Sequence, residues 1–395
     1  MSMMEPTRSL PPLALYVHVP WCVRKCPYCD FNSHGVGHHS ELPEETYLQA
    51  LLADLEDELP LAASRELTSI FIGGGTPSLM SPAFYQHFLE ALASRLTLAD
   101  DIEITLEANP GTIEQQRFHG YRQAGINRLS LGVQSFQPEH LAVLGRIHGA
   151  DEAKRAVSLA RRAGFDNLNI DLMHGLPGQD VNQALADLDA ATVLEPEHLS
   201  WYQLTLEPNT EFYTHPPVLP HDDLLWDIQE AGHERLTGAG FQQYEISAYS
   251  RPGLSSRHNR NYWAFGDYLG IGAGAHGKLT GCGEGGDWHI ERRWKTRQPD
   301  AYLRRRKDLR GFLAGRESIG VDELPLEFAM NALRLVDGVP MAIWEAHTGR
   351  PIHELEAQLS PLRKKGLLVQ DTMWLQATPR GLLFLNDLLA SISNE

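Results

Sequence analysis

An α/β fold is what this sequence predicts: a partial (β/α)6 barrel of the TIM-like kind, followed by a mostly helical, winged-helix-like unit. Three observations lead there. From residue 13 to about 210, short β-branched runs alternate with longer amphipathic stretches, the order of βα units around a parallel sheet. No Gly-x-Gly-x-x-Gly follows the first strand, so a doubly wound dinucleotide fold has little support. After residue 316, helical patterns surround one hairpin. The chain thus divides into a tail, 1–12, the barrel, 13–210, a Gly-, Pro- and Tyr-rich irregular region that closes over the barrel, 211–316, and the terminal unit, 317–395.

Strands are expected at "LALYVHV" from Leu13, "TSIFIGG" from Thr68, "DIEITLEA" from Asp101, "NRLSLGVQ" from Asn127, "NLNIDLMHG" from Asn167 and "LSWYQLT" from Leu199. Between them, "ETYLQALLADLEDEL" and "DEAKRAVSLARRAG" carry apolar residues at helical spacing. The first five strands each run into something polar or glycine-rich: three cysteines, then "GGGTP", then Glu107 and Asn109, then Gln134 and Ser135, then Asp171. In parallel barrels that carboxyl-end rim is where several loops build one site. In the terminal unit, "LEFAMNALRLVDG" and "IHELEAQLSPLRKKG" read as helices, "LLVQDTMWLQAT" as a hairpin and "PRGLLFLNDLLASI" as a closing helix. Arg363, Lys364 and Lys365 are the one local cluster of positive charge there, so a structural or protein-contact role is expected rather than DNA binding.

A formal net charge of −17 disfavours a nucleic-acid footprint, because phosphate binding relies on basic surface. One basic run stands out, Arg304, Arg305, Arg306 and Lys307. A solvated helix face is the simpler reading, with an acidic partner or peripheral membrane contact as the other. The first residues lack the apolar core of a signal peptide, and no window reaches the roughly 18 apolar residues of a membrane span, so a cytoplasmic location is expected. Thiols stay reduced there. Three of the four cysteines fall within eight residues, which points to metal or redox chemistry over disulfides. Nothing in the composition specifies an oligomeric state.

Cys22, Cys26 and Cys29 form Cys-x3-Cys-x2-Cys, a spacing that wraps three thiolates around one compact inorganic centre. A structural zinc site wants four protein ligands, and His34 or the distant Cys282 would have to supply the last; His38 and His39 also follow closely. An iron-sulfur cluster held by three thiolates keeps one iron open for an outside ligand, which suits the mouth of a barrel, and the spacing favours it. Gly73, Gly74 and Gly75 allow close backbone approach to a ligand, a weak motif whose value lies in its position. Glu107, Gln134 and Asp171 are each ordinary strand-end polar groups taken singly; together on one rim they suit an amino group and ribose hydroxyls.

In combination, "YVHVPWC" with its cysteine loop, "GGGTPS", "LEANPG", "GVQSF" and "DLMHGLPGQ" resemble the radical S-adenosylmethionine enzymes of the oxygen-independent coproporphyrinogen oxidase group, over nearly the whole chain. The resemblance implies a 4Fe-4S cluster on Cys22, Cys26 and Cys29, with S-adenosylmethionine completing the open iron through its amino and carboxylate groups. It also implies that Tyr16 and Tyr28 flank that cofactor, that Gly74, Gly75 and Thr76 line its methionine part, and that Glu107, Gln134, Arg146 and Asp171 make the remaining contacts.

Within this group the chain departs from the oxidases. They carry a further cysteine two positions after the third, where this sequence has Phe31. Only 15 residues precede Tyr16, too few for the oxidases' amino-terminal arm. "CPYCDFNSH" and "HNRNYW" are instead similar to the HemW-type haem chaperones. That similarity implies haem as bound cargo and apo-haemproteins, such as those of respiratory chains, as recipients, with oxidative decarboxylation of coproporphyrinogen III as the alternative. His258 is then the candidate haem contact, with Tyr262 and Trp263 covering the macrocycle; the competing reading is a histidine that anchors its loop by hydrogen bonds.

Overall fold

The computed structural model describes residues 10–36, 41–282 and 288–392, with the backbone alone for Cys282 and for 112–114. His38 and His39 lie outside the described residues.

All six expected strands form: β1 Leu13–Val19, β2 Leu67–Gly74, β3 Leu98–Ala108, β4 Arg128–Gln134, β5 Leu168–His174 and β6 His198–Gln203. They pair in parallel in that order. Helices α1 Glu44–Ala62, α2 Pro82–Ala93, α3 Thr112–Gln123, α4 Ala150–Arg162 and α5 Val181–Thr192 link them. Their starts are legible in side chains. The Ser81 hydroxyl accepts from Phe84 N at 3.2 Å ahead of α2, and Asp180 and Gln183 cap each other reciprocally at α5. Helix α4 places Asp151 and Glu152 in its first turn and Arg161 and Arg162 in its last, the charge order its dipole favours.

Alternation along each strand sorts its two faces. On β1, Leu13, Leu15, Val17 and Val19 are at most 1% exposed and pack with the α1 residues Tyr47, Leu51 and Leu55. Each such Leu or Val contributes roughly 1.5–3 kcal/mol by leaving water. The opposite face, toward the barrel interior, is polar: Glu103, Thr105 and Glu107 on β3; Arg128, Ser130 and Gln134 on β4; Asn169 and Asp171 on β5; His198, Ser200 and Tyr202 on β6.

The region 211–316, expected as irregular structure with short strands, has those strands and more regular structure besides. It holds the 17-residue helix α6 Asp222–Gly238, the short α7 Arg257–Trp263 and six strands that lengthen the sheet at both ends. Strands β7 Gln242–Glu245 and β8 Ala248–Ser250 add antiparallel beyond β6. Strand β9 Asp267–Ile271 pairs parallel with β1, and β10 His276–Cys282, β11 Trp288–Lys295 and β12 Leu313–Ser318 follow as an antiparallel meander. The resulting order is β12-β11-β10-β9-β1-β2-β3-β4-β5-β6-β8-β7, a twelve-stranded sheet whose ends do not meet among the described residues. Glycine and proline in this region mark tight turns between strands, and they dilute the apolar periodicity that would have announced the strands.

The terminal unit contains α8 Leu324–Ala332, α9 Ala342–Thr348 and α10 Ile352–Lys364, and Trp374–Leu375 pairs antiparallel with Val339–Pro340. Its core is shared: Phe328, Trp344, Leu355 and Leu359 form one buried cluster with Tyr244, Ala248, Phe265 and Ile290 from the preceding region. Arg363, expected as surface charge, is 4% exposed; it donates to the carbonyls of Asp371 and Trp374 and to Glu356. Arg305 in the basic run pairs with Asp308 at 3.7 Å. No described helix is long and apolar enough to cross a membrane.

Candidate functional site

The loop after β1 doubles back so that Trp21–Cys22 pairs with His34–Gly35, which throws the three cysteines into an arc over the barrel mouth. All three are free thiols lining one cavity of about 520 Å³. Burial pushes the thiols of Cys22 and Cys29 up. Among the described residues, no three His, Cys, Asp or Glu side chains converge as the ligands of a single ion would. A four-iron cube differs, because each thiolate binds its own iron. His34 Nε2 faces Asn32 Oδ1 at 3.3 Å and does not line the cavity.

The glycine loop after β2 is stitched to the cysteine loop by main-chain bonds from Gly75 N to Val19 O and Thr76 N to Trp21 O, each 2.7 Å. Close packing makes these glycines obligatory. A Cβ on Gly75 would meet Trp21 O at 2.5 Å, and Gly74 has φ +114 with His18 in the way of any side chain. Gly74 N donates to Glu107 Oε2 at 3.1 Å. The Glu107 carboxyl opens only onto the cavity and is otherwise surrounded by protein; that burial, with help from nearby Asp171, raises its pKa to about 8. A cationic ligand beside it would draw the pKa back down.

Gln134 ends β4 with φ +71, an unusual conformation for a side-chain-bearing residue, at a shift in register against β5. Its Oε1 accepts from Tyr202 OH at 2.7 Å. Asp187 on α5 holds this turn by accepting from Ser135 Oγ and Phe136 N, both at 2.7 Å. Asp171 accepts from Ser130 Oγ at 3.0 Å and Asn169 Nδ2 at 2.7 Å. Arg146 reaches from Asn109 Oδ1 and Gly132 O, each 2.6 Å, to Cys26 Sγ at 3.7 Å, and its buried Nε has no partner among the described residues.

Of the residues singled out from sequence, Cys22, Cys26, Tyr28, Cys29, Gly74, Gly75, Thr76, Glu107, Gln134, Arg146 and Asp171 line this cavity. Tyr16 does not. It lines a second cavity of about 650 Å³, walled by Phe71, Tyr262, Trp263 and Tyr268, and its hydroxyl meets His18 Nδ1 at 3.0 Å. His258 lines that second cavity too, its ring 5.2 Å from Phe71 and its Nδ1 3.4 Å from Ser69 Oγ. That contact to Ser69 is an anchoring bond of the kind expected of it, and its neighbours add more: Asn259 Nδ2 donates to Tyr244 OH at 3.1 Å and Arg260 pairs with Asp337 at 3.1 Å. Burial lowers the His258 pKa to about 4, so the imidazole is neutral near pH 7. Phe31, Phe71, Asn259 and Trp263 line both cavities, which therefore adjoin. Sequence reasoning missed Arg128, Asn169, His198 and Ser200 deeper in the first cavity; the polar alternation within "RLSLGVQ", "LNIDLMH" and "HLSWYQ" was their signal.

A donor set of three soft thiolates around a cavity far larger than one ion, glycines that bring backbone to its wall and carboxylates beside it fit a cluster and a sulfonium cofactor. The fold and this site define a class, the radical S-adenosylmethionine superfamily: its profile matches residues 16–191, and the HemN C-terminal domain profile matches 321–384. Membership implies a 4Fe-4S cluster and S-adenosylmethionine. The solved structure of coproporphyrinogen III oxidase (HemN) from Escherichia coli superposes with a TM-score of 0.80 at 24% identity, covering 98% of this chain and 92% of that one, which bears on the fold alone. "Heme chaperone HemW" of E. coli strain K12 is 52% identical, covering 96% of this chain and 98% of its own, and that of Haemophilus influenzae is 50% identical over the same shares. A bovine relative, "Radical S-adenosyl methionine domain-containing protein 1, mitochondrial", is 36% identical over 96% of this chain and 87% of its own. The chain belongs to the HemW family.

Proposed function

We propose that this chain is a haem chaperone of the reducing cytoplasm, which binds haem and passes it to apo-haemproteins. The observation that carries the reading is the second cavity, about 650 Å³, aromatic-walled and furnished with a neutral imidazole at His258, directly beside the cysteine-lined one. A flat macrocycle suits such walls, with His258 as the iron contact and Tyr262 and Trp263 against the ring faces. Trp263, which lines both cavities, has a buried Nε1 with no partner among the described residues.

In this reading Cys22, Cys26 and Cys29 hold the cluster, and S-adenosylmethionine takes its open iron. When bound, that pair supplies one-electron chemistry. Tyr28, Gly74, Gly75 and Thr76 enclose the cofactor's methionine end, Glu107 and Asp171 face its cationic and hydroxyl groups, and Gln134 and Arg146 supply oriented polar contacts. Tyr16 acts from the second cavity, packed against Phe71 and His258. Phe31, 59% exposed at the rim of both cavities, presents an apolar ring where the oxidases have a cysteine.

Anaerobically reconstituted protein titrated with haem should give a saturable Soret band and hand its haem to an apo-haemprotein such as apomyoglobin. His258→Ala should weaken haem binding by about tenfold or more. Absence of saturable binding, or formation of protoporphyrinogen from coproporphyrinogen III with S-adenosylmethionine and reductant, overturns the reading.

A further inference from the structure

The inner end of the first cavity holds a buried guanidinium that is short of hydrogen-bond acceptors among the described residues. Arg128, the first residue of β4, is 2% exposed and faces that space. Among the described residues the one hydrogen bond of its side chain is a long one, Nη1 to Thr105 Oγ1 at 3.5 Å, and its buried Nε has none. Of the carboxylates around it, Asp171 feels the charge of Arg128 without bonding to it. Asp171 accepts from Ser130 and Asn169, Glu245 pairs with Arg334 at 3.2 Å, and Glu103 accepts from Ser256 Oγ and Arg257 N at the start of α7. A guanidinium does not shed its proton to escape burial, and an isolated buried charge is strongly disfavoured. Acceptors for its remaining N–H groups are therefore to be sought in what the cavity binds.

We propose that Arg128 receives a carboxylate of the bound ligand, making the inner end of this cavity an anion subsite. Resting on the haem reading above, the carboxylate is a propionate of the tetrapyrrole. The subsite adjoins the second cavity through Asn259, Phe71 and Trp263, and the charge on Arg128 reaches His258, helping to keep that imidazole neutral. A macrocycle against the aromatic walls can send one propionate past Asn259 to the guanidinium fork, whose paired N–H groups match a carboxylate. A free small carboxylate offers the same chemistry, so the test separates the two.

The full chain, reconstituted with iron, sulfide and S-adenosylmethionine, is titrated with haem and with haem dimethyl ester. Wild type should prefer the free acid by about 10–100-fold. Arg128→Gln should shrink that preference to about threefold or less, with the ester's own affinity unchanged, and Arg128→Lys should retain part of it. An equal preference in wild type and Arg128→Gln overturns the subsite while leaving the haem reading intact. Should the glutamine variant not fold, the lysine variant decides: undiminished preference overturns the proposal, a reduced one supports it. If wild type binds neither form, the haem reading fails and sodium propionate judges Arg128 alone. A rise in unfolding midpoint beyond that given by sodium chloride, lost in Arg128→Lys, supports a small-carboxylate subsite; no such difference overturns it.

Discussion

Gly75 has no room for even a methyl group, because the atoms a Cβ would strike belong to the Trp21 backbone rather than to a movable side chain. Gly75→Ala should therefore push the glycine loop off the cysteine loop, costing roughly 1–3 kcal/mol in urea unfolding and weakening S-adenosylmethionine binding at least tenfold by calorimetry. Cys26→Ala should lower iron and sulfide per chain and abolish the cluster's absorbance while leaving the fold's circular dichroism unchanged, since this thiol makes no core contact that the barrel needs. Most residues around the first cavity were legible because each ends a strand. Arg128 and His198 were not, since each begins its strand, and a polar residue there reads as solvent-facing until the closed side of the sheet is known. Tyr16 was placed with the cofactor from sequence, yet its strand carries it into the neighbouring cavity.

At the scale of elements, the turn after β4 depends on α5. Burial lifts the Asp187 carboxyl from its ordinary 3.8 to about 6, outweighing the bonds it accepts from Phe136 and Ser135. The folded chain thus keeps this proton where the unfolded chain has lost it, so the stability it lends is full below about pH 4 and lost as pH rises to 6. Asp187→Asn keeps an acceptor for Phe136 N and should remove that slope. Between pH 4 and 7 wild type should lose roughly 1–3 kcal/mol relative to the variant in denaturant unfolding. A second joint couples α1 to β11: Lys295, 2% exposed, pairs with Asp54 at 2.5 Å and Glu58 at 2.6 Å, both buried. Lys295→Met leaves buried Asp54 without its cation and Glu58 with Arg293 alone, at 3.3 Å, and should destabilise by about 3–5 kcal/mol, read by the shift in urea midpoint. Neither joint is visible in local sequence, because the partners lie 51 and 241 residues apart.

At the scale of the whole molecule, the terminal unit is also a cover. Tyr244, Ala248, Phe265 and Ile290 are at most 3% exposed because Phe328, Trp344 and their neighbours pack on them. Removing residues 321–395 should uncover that patch, so the shortened chain should bind the dye ANS and aggregate on concentration; a monodisperse, dye-silent product would contradict the shared core. By itself the sequence determined the parallel half-barrel, the cysteine loop and the rim of polar strand ends, because period-2 and period-3.6 patterns and ligand spacing act over a few residues. Only the tertiary structure decided that 211–316 extends the sheet at both ends, that two cavities share a wall, and that Arg128 lies buried and short of acceptors among the described residues. Those facts depend on which distant strands meet, and the packing that chooses them is a property of the folded chain, not of any local stretch.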